Sequence, residues 1–592
     1  MACTVFFLGS LQLVFPASDS ACLLESDWQD PYLGYVLAQP VVRGIQSKGV
    51  LANAKHWVLN SQEQDRQGDD ALVDERTRFE IYYPPFEGAI EAGVASMMCS
   101  FNRINGIWSC GDPDTLRVDL KERLGFQGFV MSDWGACHST SIGAGLDMEM
   151  PGGHGGCPKY TVCPGAPHFG PANPADGQCP KGVPSCIDGN VSTKVVDEAV
   201  LRIMTPMFEF DLFKNAAQWS NLTKRSLTVT SAAHSLLARQ IAAAATVLLR
   251  NEHEALPIPS SVRSIVVFGE QAATPSVHGG GSGAVLPAYI ISPLQGICEK
   301  ANASGVACTY EPGDDLEKAA AAAASADLAI VVVGDSSSEG HDRVSLSFSG
   351  AQDALVTAVA GHAKHGTVVV GLNPGPVLLP WAEQVEGLLL MFQPGLECGH
   401  SLADVLWGAV NPSAKLPLTM PATENQIGMT VDQYPGTPNE TLGYLTSNYT
   451  ERLLVGYRWY DAHEAQPRYE FGFGKSYTTF AYSALVTSRS AVSFTVKNTG
   501  SRAGAEVAQL YLSFPAAAGE PPQQLKGFKK VQLDPGVAKQ VVLNLTSRAF
   551  SIWSVEEHAW TPVSGRFGVS VGSSSRDSRL NGTIDYPQPD GM

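Results

Sequence analysis

Asp133 is the sharpest chemical position in the sequence. It ends the apolar run Gly128-Phe129-Val130-Met131-Ser132 and is followed by Trp134. A carboxylate beside an aromatic ring suits a sugar, because the ring offers a stacking face and lowers the local dielectric. The plainer alternative is a strand-end Asp that caps the next helix. Lys55 and His56 end a second apolar run, Val50-Leu51-Ala52-Asn53-Ala54. Adjacent ammonium and imidazole donors suit a hydroxyl-rich ligand, and a satisfied salt bridge is the competing reading. Glu339 lies in Ser336-Ser337-Ser338-Glu339-Gly340-His341-Asp342-Arg343, shortly after the apolar segment 328–334. On that polar stretch it reads either as a loop carboxylate free to serve a ligand or as a solvated surface Glu.

The elements that must position these groups follow from periodicity. Residues 49–210 alternate short apolar runs with amphipathic stretches such as Glu75–Ala92. Val94–Ser100, Gly128–Trp134 and Ala144–Met150 continue the series. Buried strands alternating with helices predict βα units and a parallel sheet. The polar residues sit at the carboxyl ends of three strands: Lys55/His56, Ser100/Asn102 and Asp133/Trp134. A βα-barrel carries its chemistry at that end.

Residues 236–420 repeat the pattern. A helix over 236–248 leads to strands at Ser264–Phe268, Leu328–Gly334, Thr367–Leu372 and Leu388–Phe392, and Ala319–Ala324 reads as helix. The loop His278-Gly279-Gly280-Gly281-Ser282-Gly283 fails both the G-x-G-x-x-G and the P-loop spacing, so it reads as a turn or a substrate-side loop. Residues 421–480 read as a connector. From 481 the strands shorten and alternate, at Ser493–Lys497, Ala505–Ser513, Gln540–Leu545 and Arg566–Val571, which predicts a β-sandwich. The expected domains are therefore 1–215, 236–420, 421–480 and 481–592.

Composition narrows the partners. The 592 residues carry a formal net charge of −18, with 44% hydrophobic and 17% charged residues. These are globular values, and the acidic balance argues against nucleic acid and anionic membranes. No apolar run reaches the ~18 residues of a membrane-spanning helix. Oligomeric state is not legible. Twelve Cys and seven N-x-[ST] sequons, at Asn190, Asn221, Asn302, Asn439, Asn448, Asn544 and Asn581, suggest an oxidising, secretory compartment. Cys157, Cys163, Cys179 and Cys186 lie in a Gly/Pro-rich stretch and read as disulfides. Metal is the rival reading, since His138, His154 and His168 lie near, but the spacings do not fit a zinc knuckle. Cys99 and Cys110 bracket a hairpin and form a further candidate pair. Residues 3–15 form a signal-like apolar run without a positive segment before it, so either a signal peptide or a shortened start fits.

Several motifs occur together and in order. They are Ala54-Lys55-His56-Trp57, Pro84-Pro85-Phe86-Glu87, Met98-Cys99-Ser100-Phe101-Asn102 and Gly125–Gly135. His278–Gly283, Ser337–Arg343, Asn373–Pro376, Val455–Tyr460 and Phe471–Tyr477 follow. Over roughly residues 27–575 the sequence resembles family 3 glycoside hydrolases. The resemblance implies a (β/α)8-type domain, an (α/β)6 sandwich and a fibronectin-III-like domain. It also implies retaining hydrolysis of β-linked glucosides or xylosides, with no metal or organic cofactor. Asp133 matches the family nucleophile and Glu339 the acid/base of the branch carrying this loop. Lys55, His56 and Arg103 fall where sugar contacts are expected, and Trp134 offers the platform.

The resemblance also has departures. A complete (β/α)8 domain takes ~250 residues, and only 54 precede Lys55. The expected barrel is therefore partial, truncated at its front. An early sugar-binding Asp and an Arg upstream of Leu24–Tyr32 have no counterpart, and Phe101 stands where Tyr is usual. Three expectations follow: a hydrolase represented by an incomplete chain, a catalytically impaired sugar- or partner-binding relative, or a shortened active enzyme.

Overall fold

The computed structural model describes residues 6–8, 29–138, 141–150, 192–214, 229–441 and 443–587. They form two compact units. The first holds the described residues within 1–14, 31–228 and 429–452; the second holds those within 15–30, 229–428 and 453–592.

In the first unit a parallel sheet orders the strands Phe6–Leu8, Ala52–Trp57, Ser96–Cys99 and Phe129–Ser132. The helices Pro31–Gln46 and Pro84–Glu91 pack against one another. Ser96–Cys99 and Phe129–Ser132 are buried at every position, which is why they read as unbroken apolar runs. The expected helix over Glu75–Ala92 is broken. A short helical turn at Glu75–Thr77 runs into a π-helical turn, Arg78–Tyr82, and a new helix starts at Pro84. Pro84 and Pro85 cannot donate to a preceding turn but fit a first turn. The expected strand Ala144–Met150 reduces to a single parallel bridge, Met131 to Met148, after a 3-10 turn over Ser141–Ala144.

A second sheet of this unit orders Thr437–Asn439, Tyr444–Asn448, Asp70–Leu72, Arg103–Ile104 and Ile107–Trp108. Residues 421–480 are thus more than a connector. Their segment 429–452 supplies two strands to the first unit, and Tyr444–Asn448 pairs in parallel with Asp70–Leu72. The short, polar strands carry little apolar alternation, so periodicity could not announce them.

Buried Asp69 ties this sheet together by accepting a hydrogen bond from Ser447 Oγ at 2.7 Å. Burial pushes its carboxyl up to about 7 against the Ser447 bond, with Asp65 and Asp70 adding to the rise. The protonated form therefore favours the fold. That contribution is full below the unfolded value near 3.8 and is lost as pH rises through about 7. Asp69→Asn should narrow the gap in melting temperature between pH 5 and pH 8. Calorimetry of both proteins checks it, and an unchanged gap would assign the pH dependence to other groups.

The second unit is built on a six-stranded sheet. Its order is Ala307–Glu311, Ser264–Phe268, Leu328–Gly334, Thr367–Leu372, Gly387–Leu390 and Val247–Asn251, with only the last antiparallel. Leu328–Gly334 and Thr367–Leu372 are buried throughout, with apolar cores on both sheet faces. The helix expected over 236–248 spans Ala232–Ala245 and gives way to the edge strand Val247–Asn251. Ala307–Glu311 is also an edge strand, mostly exposed, and lacked a buried signature in the sequence. The unit continues into a β-sandwich with a three-stranded and a four-stranded antiparallel sheet around one core.

Cys99–Cys110 is a disulfide, and Cys298–Cys308 is a second that spacing did not single out. Cys157, Cys163, Cys179 and Cys186, with His154 and His168, lie outside the described residues. Among the described residues no helix is long and apolar enough to cross a membrane.

Candidate active site

The carboxyl end of the first unit's parallel sheet gathers the expected groups. Lys55 pairs with Met98 and Trp57 with Cys99, so His56 is the extra residue of a bulge. A bulge re-aims the side chain it carries. His56 Nε2 reaches to 3.0 Å from Asp133 Oδ2. Asp133 sits one residue beyond its strand, its amide bonded to the Cys99 carbonyl at 3.2 Å. Its Oδ1 accepts the Trp134 amide at 2.7 Å. No helix begins there, so the helix-capping alternative is not realised.

Electrostatics favour an ionised Asp133. Burial alone pushes its carboxyl up. The bond and charge of His56, the Trp134 amide and the charge of Lys55 outweigh that and hold it below the usual carboxylate value. Lys55 is 6% exposed and Asp133 8%, whereas Trp134 is 45% exposed and presents its ring to solvent.

The strand ends are braced from behind. Trp57 stacks on Tyr83 and meets Phe86 edge-on, and its indole donates to the Thr115 carbonyl. Ser100 Oγ donates to Val58 O and Ser109 Oγ donates to Trp57 O. The Cys99–Cys110 disulfide ties the same strand end to the turn Ser109–Gly111. This brace holds the backbone on both sides of His56 and behind Asp133.

Arg103 lies in an aromatic setting that its sequence position did not announce. Its guanidinium lies 4.1 Å from the Trp108 ring centroid and 4.7 Å from that of Tyr444. His138 stacks on Trp108 at 3.7 Å. The charge of Arg103 is thus directed to ring faces, as a strut between the hairpin and Tyr444. Sequence reading passed over Arg66. Its guanidinium stands 5.1 Å from the Phe101 ring and pairs with Glu63 at 3.0 Å. The signal available was a Glu-x-x-Arg spacing shortly after Lys55-His56, a pattern too common to single out.

Glu339 belongs to the second unit, and its position follows from topology. From Ser264–Phe268 the chain moves outward to Ala307–Glu311, then crosses back to Leu328–Gly334. The loops leaving the carboxyl ends of Ser264–Phe268 and Leu328–Gly334 diverge there, and such a switch point opens a ligand crevice in α/β sheets. His278–Gly283 lies on the first connection and Glu339 on the second. The two loops are fitted together. Gly280 N donates to Ser337 O at 2.8 Å. Ser282 N donates to Glu339 Oε2 at 2.7 Å, and Ser282 Oγ to Oε1 at 2.9 Å. A Cβ on Gly281 would lie 2.5 Å from Glu339 Cβ, and Gly281 has φ +72°. Glycine is required there on both counts. The Gly-rich loop is therefore a cradle for a carboxylate side chain, a role its spacing did not disclose.

Arg343 anchors the far end of the Glu339 loop. It donates to Pro376 O at 2.9 Å, which ties the loop to the Asn373–Pro376 turn. Asn373 is fully buried and donates to Gly375 O.

Comparison with known proteins agrees with this architecture. Residues 20–150 match the model described as the glycosyl hydrolase family 3 N terminal domain. Residues 246–477 match the family 3 C-terminal domain and 506–575 a fibronectin type III-like domain. The chain is 37% identical to probable beta-glucosidase L of Aspergillus terreus, over 95% of this chain and 80% of that protein. Its structure is similar to that of beta-D-glucoside glucohydrolase from Trichoderma reesei, with TM-score 0.80 and 32% identity over 96% of this chain and 84% of that one. It is also similar to beta-glucosidase 3B from Thermotoga neapolitana in complex with alpha-D-glucose. There the TM-score is 0.83 at 30% identity, over 97% of this chain and 82% of that one. By domain order, sequence identity and fold, this chain belongs to glycosyl hydrolase family 3 and is an O-glycosyl hydrolase.

Proposed function

We propose that the chain hydrolyses terminal β-D-glucosides, or β-xylosides, with retention of anomeric configuration. The observation that carries this reading is the environment of Asp133. A buried carboxylate held ionised by His56, Lys55 and the Trp134 amide suits a nucleophile, because the negative charge is the reactive form. The names of the relatives support a glucoside as substrate.

In the first step an Asp133 oxygen attacks the anomeric carbon. The bond to the leaving oxygen breaks, and that oxygen takes a proton from Glu339. In the second step water attacks the anomeric carbon and gives a proton to the Glu339 carboxylate. Asp133 leaves with its electron pair, and both carboxyls return to their starting states. Lys55 and His56 donate to sugar hydroxyls, and Trp134 stacks on the ring. Arg103 holds the Trp108 and Tyr444 rings. The disulfides Cys99–Cys110 and Cys298–Cys308 support passage through an oxidising compartment and secretion.

The test is hydrolysis of p-nitrophenyl β-glucoside and β-xyloside by the full chain, followed by proton NMR of the nascent sugar. The expected result is faster release from the glucoside, with the β-anomer formed first. No turnover from folded protein, or α-anomer first, would overturn the proposal.

A further inference from the structure

A carboxyl that serves as acid in one step and base in the next must be held in both protonation states. Most fixed partners suit only one. An ammonium or amide N–H favours the carboxylate, and a carbonyl accepts only from the acid. A hydroxyl does either, since it donates to a carboxylate and accepts from a carboxylic acid by rotating its own hydrogen.

Glu339 has such a partner. Both of its oxygens accept from one residue, the Ser282 hydroxyl at Oε1 and the Ser282 amide at Oε2. The contact is built into the backbone. Gly281 holds a positive φ and leaves no room for a Cβ against Glu339, and Gly280 is bonded to Ser337. These constraints fix the Ser282 amide and hydroxyl on the carboxylate from a loop 57 positions earlier in the chain.

We infer that Ser282 is the positioning residue of Glu339, holding its carboxyl through the exchange of acid and base roles. This rests on the acid/base reading of Glu339 given above. The hydroxyl donates to the ionised form, and charge-assisted bonds are the stronger ones. The Ser282 hydroxyl therefore lowers the pH at which Glu339 gives up its proton. Removing the hydroxyl should favour the acid form, while the amide bond and the loop remain.

The test compares Ser282→Ala and Ser282→Thr with the parent. The pH profile of kcat/KM is measured on 4-methoxyphenyl β-glucoside, whose poor leaving group needs the acid. Ser282 is exposed on its loop, so melting temperatures should stay together. The expected result is a basic limb moved to higher pH by about half to one unit in Ser282→Ala, with Thr restoring it. A limb unmoved in Ser282→Ala overturns the inference. Glu339→Ala, run beside them, separates the two levels. If it spares 2,4-dinitrophenyl β-glucoside and responds to azide while Ser282→Ala leaves the limb in place, only the inference about Ser282 falls. If Glu339→Ala slows all leaving groups alike, the acid/base reading falls and the Ser282 inference with it.

Discussion

Asp133→Asn should lower turnover of aryl β-glucosides by at least about 10⁴-fold, with KM changed far less, because a nucleophile acts only in the bond-making step. The carboxamide keeps the shape and can still meet His56 and the Trp134 amide, so the melting temperature should shift by only a few degrees. The parent carries a second expectation on the same residue. Asp133 is held below the usual carboxylate value. The acidic limb of kcat/KM should therefore lie below the range of an ordinary Asp, and activity should persist where exposed carboxylates are already protonated. Sign and cause agree: protonating Asp133 at low pH removes the nucleophile. Steady-state kinetics from pH 3 to 9 with purified protein, alongside thermal melts, checks both statements. Retained turnover in Asp133→Asn would take the nucleophile role away from this residue.

Glu339→Ala should give a loss that depends on the substrate. With a poor leaving group, removal of the acid should cost about 10²–10⁴-fold. With 2,4-dinitrophenolate, which departs without a proton, bond cleavage should be nearly spared. The second step then becomes limiting, because no base activates water. Azide needs no base, so it should restore turnover and yield β-glucosyl azide. The ratio of rates between the two leaving groups is the readout. A uniform loss across both would mean that Glu339 supports structure rather than proton transfer.

Much of this site was legible because its residues sit where periodic segments stop. Asp133, Lys55 and His56 each end a buried run, and the structure sets all three at one end of one parallel sheet. The bulge that turns His56 towards Asp133 was not legible. A bulge changes register by one residue without altering the types in the sequence. The surroundings of Arg103 were not legible for a related reason. Its position next to Asn102 in a strand-end motif gave no sign of Trp108 and Tyr444, and Tyr444 lies far away in the chain. The cradle at Ser282 was hidden because its physical content is a close approach between two loops, visible only as atoms that a Cβ would strike. Broad architecture came through where strands are apolar, as in Leu328–Gly334. It failed at the polar strands Thr437–Asn439 and Tyr444–Asn448 and at the exposed edge Ala307–Glu311. Those strands are held by partners supplied by the fold, not by their own hydrophobicity.

The pairing of residues near position 70 with residues near 447 has a consequence for biosynthesis. Ser447 meets Asp69 across 378 positions of chain. In the second unit Arg458 meets Asp30, both buried, across 428. Each unit thus joins an early segment to a late one. During vectorial synthesis neither set of contacts can close until the segment around residues 447–458 has emerged, since domains mature only when their segments are present. The entropy of closing such long loops grows only slowly with length. The waiting time, not the closure cost, is then the hazard. Until residue 447 arrives, the strand at Asp70–Leu72 has one unpaired edge, and such edges are templates for association. The length of that exposure is set by translation speed, and slowing translation before residue 447 would lengthen it.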